Sequence, residues 1–177
     1  MRIVTIGKGN VGGGLAGLWR TAGHDVTELG KEGGDAAGAD AVLLAVPANA
    51  IDDALRSVNG LGGAPIVDAT NVIRTPRPEG FDSLSAYVKA KTGAPVAKAF
   101  NANFATMYPR IAEASAKPSM VFASDDDARS VTEQLIIDAG YDPVYAGDLS
   151  NARALEDFLG VIFAVSQQRG PFFYRIR

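Results

Sequence analysis

Arg2-Ile3-Val4-Thr5-Ile6-Gly7-Lys8-Gly9-Asn10-Val11-Gly12 is the stretch whose reading decides the fold. Residues 2–6 are rich in β-branched side chains and read as a buried strand. Three glycines follow in the pattern Gly-x-Gly-x-x-Gly, and residues 10–22 then read as a helix stopped by Gly23, at the position favoured for a C-terminal cap. In that setting each glycine has a physical task. Gly7 permits the tight turn, Gly9 leaves no Cβ in the way of a diphosphate, and Gly12 lets helix and strand pack closely. The helix start then presents unpaired N–H groups and a positive dipole end to an anion. A tight turn without a ligand also uses glycine, so the weight rests on the strand before it and the helix after it. Residues Gly7, Lys8, Gly9, Asn10, Val11 and Gly12 form the expected diphosphate-binding set.

Working outward, short strand-like runs recur at 25–29, 41–46, 65–68 and 95–99, separated by helical patterns. That alternation predicts an α/β, Rossmann-like three-layer sandwich with a mostly parallel sheet, forming one domain over residues 1–177. Further on, Met120–Ala123 reads as a strand, followed by a helix capped by Asp125 or Asp126. That helix carries Ala128, Val131, Leu135 and Ile136 at helical spacing and stops at Gly140. Ser150 is the expected cap of the last helix, where Leu155, Phe158, Leu159, Ile162 and Phe163 form one apolar stripe. Residues 172–176 are expected to add an edge strand. Both stripes read first as core. The second is wide enough to meet a partner subunit, so residues 150–177 are the candidate dimer element.

Composition removes several classes of function. The chain has 177 residues, 47% of them hydrophobic and 21% charged, with a formal net charge of −3. It can bury a core, and it offers no whole-domain basic field for a nucleic acid. With no cysteine and one histidine, a disulfide framework, a thiolate nucleophile and a Cys- or His-built metal centre are all excluded. The first residues are too short an apolar run for a secretory leader, and no stretch approaches the roughly 18 apolar residues that cross a bilayer. Val161–Val165 is among the most apolar runs. A cytoplasmic protein with no membrane or nucleic-acid partner is expected.

The second strand should end near an adenosine ribose, where an acid selects NAD and a cation accommodates the 2′-phosphate of NADP. Along His24-Asp25-Val26-Thr27-Glu28-Leu29-Gly30-Lys31 the tip falls at Gly30 and Lys31. It holds no acid and is followed by a lysine, which favours NADP. Glu28 inside the strand and Glu32 beyond the tip are the residues that would reverse that preference, and a solvated loop lysine is the plain alternative for Lys31.

The glycine turn is followed in order by Ala45-Val46-Pro47, Asp68-Ala69-Thr70-Asn71, Lys98-Ala99-Phe100-Asn101 and Gly147-Asp148-Leu149-Ser150-Asn151-Ala152-Arg153-Ala154-Leu155-Glu156. In that order and spacing, across nearly the whole chain, the sequence resembles the NADP-dependent deazaflavin oxidoreductases (reduced coenzyme F-420:NADP reductases and related dinucleotide-binding enzymes). The resemblance implies hydride transfer between NADP(H) and a deazaflavin (coenzyme F-420) or flavin acceptor. It further implies that Ala45, Val46 and Pro47 border the dinucleotide and that Asn71 lies near the nicotinamide ribose. The loop of Asn101, Ala102, Asn103 and Phe104 would help form the acceptor pocket, and C-terminal elements would pair two chains. Such a reaction needs no protein nucleophile, only positioning and exclusion of water, so no catalytic side chain is assigned.

Other polar residues read more modestly. Asn101 suits either the orientation of a ring carbonyl or a structural hydrogen bond. Lys98 suits an acidic substrate tail or a snorkelling role. Arg74 and Arg77 suit the acidic tail of a deazaflavin or plain solvent. His24 suits a turn, and Asp52-Asp53 an exposed helix face.

Two departures from the family stand out. Gly30-Lys31 replaces the usual Ser or Thr next to Arg. In addition, only nine residues separate Lys31 from the strand at Ala41, where a crossover with its helix needs about 10–12. A shortened or deleted helix–strand unit is expected there, with Glu28 on a wet face of the second strand. A dinucleotide-binding or sensing module without turnover is therefore the alternative reading.

Overall fold

A computed structural model describes residues 1–73 and 75–176, so Arg74 lies outside the described residues. In chain order the strands are β1 (Arg2–Ile6), β2 (Asp25–Leu29), β3 (Gly34–Asp35), β4 (Ala41–Leu44), β5 (Val58–Asn59), β6 (Ile66–Asp68), β7 (Val96–Lys98), β8 (Ser119–Ser124) and β9 (Asp142–Tyr145). The α-helices are α1 (Asn10–Thr21), α2 (Ile51–Ser57), α3 (Leu84–Thr92), α4 (Asp126–Asp138) and α5 (Ala152–Arg169). Seven strands form one sheet in the order β2-β1-β4-β6-β7-β8-β9. The run from β2 to β7 is parallel; β8 enters antiparallel to β7, and β9 follows β8 in parallel.

Alternation along the strands builds two cores, one on each face. Ile3, Leu43 and Val67 face α1 and α4, meeting Leu15, Trp19, Leu135 and Ile136. Val4, Leu44 and Ile66 face α2 and α3, meeting Ile51, Leu84 and Val88. Helices on both faces make the three layers, and the fold is the expected Rossmann-like one. Trp19 is fully buried, and its Nε1–H donates to the Leu135 carbonyl at 2.9 Å, so its one polar atom is satisfied inside the core.

The unit after β2 is shortened as the loop length requires. No helix lies between β2 and β4. A two-residue strand, β3, remains, but it pairs with β5 rather than extending the main sheet, so β2 is an edge strand. Thr27 is exposed there, whereas Glu28 is only partly so.

Four local expectations need correction. Residues 172–176 form no strand: Ser119 N donates to the Tyr174 carbonyl, and Ile176 N is taken by the Ser119 hydroxyl instead of a ladder partner. Ser150 does not cap α5. It sits in a 3-10 turn (Leu149–Asn151) that precedes the helix, and Asp148 caps that turn by accepting from Ser150 N. Asp125 stands before α4, but its carboxylate accepts from Lys89 Nζ (2.6 Å) and Val96 N (2.9 Å) and does not cap the helix. Of the α5 stripe, Leu155, Leu159 and Ile162 are buried, whereas Phe163 is 41% exposed.

Candidate functional site

The C-terminal ends of β1, β4, β6 and β7 converge on one edge of the sheet, where open α/β sheets bind ligands. At the end of β1, Gly7 adopts φ +108°, a conformation that a side chain resists. A Cβ on Gly7 would also run into the Ala45 carbonyl oxygen, and one on Gly12 would run into the carbonyl oxygen of Gly7 itself. Turn, helix and neighbouring strand end are thus in backbone contact at both glycines. Gly9 differs from them: nothing lies within 4 Å of where its Cβ would be. Gly9 is the N-cap of α1, supplies no side-chain cap, and is followed by no acid in the first turn. The first intrahelical bond runs from Gly13 N to Gly9 O, so the amides before it open onto that space. The cradle fits a diphosphate by shape and by dipole.

Ala45, Val46 and Pro47 follow β4 directly against this turn. Ala45 N donates to the Ile6 carbonyl, and Val46 Cγ1 would lie 3.2 Å from a Gly7 Cβ. Lys8 and Asn10 are exposed. Instead of lying over the turn, the Lys8 ammonium reaches Glu32 Oε1 at 2.5 Å.

At the tip of β2, Gly30 to Gly33 forms a turn closed by Gly33 N to Gly30 O (3.1 Å). It folds Glu32 back so that its Oε1 also accepts from Gly30 N at 3.3 Å. The hydrogen bond from Lys8 is the main reason the Glu32 carboxyl is held below the usual carboxylate range. Lys31 is exposed and has no ion-pair partner among the described residues. Glu28 is paired with Arg20 of α1 at 2.7 Å.

Beyond β6 and β7, Asn71 and Asn101 clasp one another. Asn71 Nδ2 donates to the Asn101 carbonyl at 2.8 Å, and Asn101 Nδ2 donates to Asn71 Oδ1 at 3.1 Å and to the Leu155 carbonyl at 2.9 Å. Both amide hydrogens of Asn101 are therefore engaged within the chain, which leaves Oδ1 as the polar atom with no partner among the described residues. The bend that brings Asn101 here is strained: Phe100 has φ +60°, unusual for a bulky residue, and is packed edge-on by Trp19 and Tyr141. Ala102 is buried. Asn103 accepts from Tyr174 OH, and Phe104 packs edge-on against Phe163 and Phe172, so this loop leans on the C-terminal elements.

Beneath the clasp lies a buried ionic network. Lys98 is fully buried, and its ammonium donates to Asp68 Oδ2 (2.9 Å) and the Thr70 carbonyl (2.6 Å), with Glu156 Oε1 at 3.4 Å. Asp68 also accepts from Thr70 N, Thr70 Oγ1 and Ser85 Oγ, and Glu156 accepts from Leu84 N. Arg77 closes the network, with Nε on Glu156 (3.0 Å) and Nη2 on Asp157 (2.7 Å). Burial opposes the charge on Arg77, but hydrogen bonds to Asp157 and Glu156 outweigh it and hold its pKa above the ordinary value. Lys98 thus neither snorkels nor faces a substrate tail, and Arg77 turns its fork inward to α5. Four of the stretches that carry the family resemblance meet in this network and clasp, which tie α5 to the sheet. His24 is the turn residue expected, bonded to Asp138 at 2.8 Å and to the N-terminal amine. Asp52 accepts from Tyr87 OH, and Asp53 pairs with Arg56 on the same helix.

A cleft of about 530 Å³ opens at the other end of α1, between Leu18, Tyr108, Ile111 and Asp138, away from the glycine turn. Tyr108 and Tyr141 are buried nearby with unpartnered hydroxyls, and burial pushes both phenols well above their ordinary value. The sequence carries no signal for either, except that Gly14 leaves the space that the Tyr108 ring fills. No helix of the described residues is long and apolar enough to cross a membrane.

No protein-family model and no curated protein matches the chain. Solved structures do. A protein from Arthrobacter sp. FB24, named as a candidate F420-dependent NADP-reductase, superposes with a TM-score of 0.84 at 23% identity over 100% of both chains. A hypothetical protein from Sinorhizobium meliloti matches at 27% identity and TM-score 0.62, covering 84% of this chain and 85% of its own. A reductive aminase from Aspergillus terreus, solved with NADPH4, cyclohexanone and allyl amine, matches at 15% identity and TM-score 0.67. That match covers 96% of this chain and 62% of the aminase. What this chain shares with them is the Rossmann-like α/β fold.

Proposed function

We propose that the chain is an NADPH-dependent oxidoreductase that passes hydride between NADP(H) and a flavin-like or deazaflavin acceptor. The observation that carries the reading is the glycine turn: Gly7 and Gly12 are in backbone contact with their surroundings, while Gly9 opens onto free space. The similar structures support it, since one is named as a candidate F420-dependent NADP-reductase and another was solved with NADPH4.

NADP(H) supplies the hydride when bound. In this reading the α1 amides and Gly7–Gly12 hold the diphosphate, Lys31 meets the 2′-phosphate, and Ala45, Val46 and Pro47 wall the dinucleotide. Asn71 stands by the nicotinamide ribose. Asn101, Ala102 and Asn103 shape the acceptor side, with Asn101 Oδ1 the polar atom left to orient a ring. The chain contributes position and dryness, and no side chain takes a proton. The protein acts in the cytoplasm as a homodimer. Exposed Val161 and Phe163 on α5 supply the apolar face for that pairing.

A second reading, dinucleotide binding without turnover, draws on the engaged amide of Asn101 and the packing of Phe104, which narrow the room for a second ring. Incubation with NADPH and a panel of flavins, deazaflavins, quinones and ferric chelates separates the two. Acceptor reduction above that of a Gly9→Val control supports the enzyme; nucleotide binding with no reduction supports the binding module.

A further inference from the structure

The tip of β2 carries an arrangement that counting along the sequence does not reveal. No acid occupies the last positions of the strand, yet the fold places a carboxylate there. The turn closed by Gly33 N on Gly30 O brings Glu32 back over the strand end, with Oε1 on the Gly30 amide at 3.3 Å and on the Lys8 ammonium at 2.5 Å. Gly30 makes the room, because a Cβ there would run into the Glu32 carboxylate. Lys8 belongs to the glycine turn itself, so the ion pair spans from the diphosphate cradle to the place where Rossmann folds meet the adenosine ribose.

An acid at that place accepts from a ribose 2′-hydroxyl and repels a 2′-phosphate; a cation there does the reverse. This site holds both signs. Lys8 and Lys31 carry positive charge and Glu32 negative charge, and the pair is exposed at both ends, so opening it costs little.

We propose that Glu32 is the residue that sets the cosubstrate preference, with Lys8 and Gly30 as the parts that place it. Seated on Gly30 N, its carboxylate receives a 2′-hydroxyl; displaced, it leaves Lys8 and Lys31 to a 2′-phosphate. The consequence is a protein that binds both NADPH and NADH with a narrow preference. The inference rests on the dinucleotide reading given above and adds the selecting residue to it.

The test is a binding titration of the full chain with NADPH and NADH, following the quenching of intrinsic fluorescence from Trp19 and the tyrosines, or heat. The pair 2′,5′-ADP and 5′-AMP serves as a second measurement that isolates the adenosine end. Glu32→Gln removes the charge and should raise the NADPH-to-NADH affinity ratio about tenfold. Gly30→Ala keeps every charge but evicts the carboxylate, and it should shift the ratio in the same direction. Lys8→Met leaves Glu32 uncompensated and should shift it the other way. Circular dichroism confirms that each variant is folded, which the exposure of all three positions favours.

Ratios that do not move in Glu32→Gln and Gly30→Ala, while both nucleotides bind the wild type, overturn this proposal and leave the dinucleotide reading standing. A wild-type chain that binds neither nucleotide overturns both. A wild-type preference for NADPH of a hundredfold or more also overturns it, because a seated Glu32 would not allow that.

Discussion

Lys98 Nζ lies 2.9 Å from Asp68 Oδ2 with neither side chain exposed to solvent, and Glu156 approaches the same ammonium from α5. Desolvating such charges is expensive, and they are tolerated because each has partners. Removing the cation strands two buried carboxylates. Lys98→Met should destabilise the protein by about 3–5 kcal/mol in urea unfolding. A lysine that merely snorkelled would cost a small fraction of that.

The glycine turn separates stability from binding. Gly12→Ala forces a methyl group into the Gly7 carbonyl and should cost about 1–3 kcal/mol by overpacking. Gly9→Ala meets nothing within the chain and should leave stability within about 0.5 kcal/mol of wild type, yet weaken NADPH binding. Thermal melts and nucleotide titrations on the same two proteins check both halves.

Lys31 is exposed at the β2 tip and pairs with no acid among the described residues. Lys31→Ala should therefore lower NADPH affinity about tenfold while changing NADH affinity much less. Equal losses in a paired titration would place the 2′ end of the nucleotide elsewhere.

Tyr108 is buried with no partner for its hydroxyl. Tyr108→Phe keeps the ring against Gly14 and removes the orphaned oxygen, and should stabilise the fold by about 1 kcal/mol. Burial raises the phenols of Tyr108 and Tyr141, and pushes that of Tyr174 up to about 12, from an unfolded value of 10. The folded state therefore keeps those protons to higher pH than the unfolded chain. Their contribution is complete below pH 10 and is lost as pH rises from there through the folded values. Urea midpoints measured from pH 9 upward should fall, and Tyr108→Phe should make that fall shallower.

The parallel sheet and the glycine turn were legible in the sequence because strand periodicity, glycine spacing and the following helix all point one way. The missing helix after β2 was legible from loop length alone. The reversal of direction at β8 was not, since a strand's hydrophobic pattern is the same read up or down. Helix α3 escaped because its buried face is narrow, resting on Leu84 and Val88, with Ser83 as its cap. Lys98 was misleading: a lysine at a strand end gives no sign that two acids, 30 residues before it and 58 after it, will close around it. Glu32 was counted as beyond the tip because linear distance does not register a turn that brings the chain back. Residues 172–176 have the composition of a strand, but Ile176 N is satisfied by a hydroxyl rather than by a ladder.

The short link after β2 also has a bearing on how the protein behaves in a crowded solution. Without a neighbouring strand, one flank of β2 offers unpaired amides and carbonyls, the kind of border on which stray chains can accrete. Asp25, Thr27 and Glu28 occupy three of its five positions, so any approaching strand would have to shed water from ionic and hydroxyl groups before it could join. The deletion thus comes with its own guard against sticking, written into a strand whose counterpart elsewhere is usually apolar.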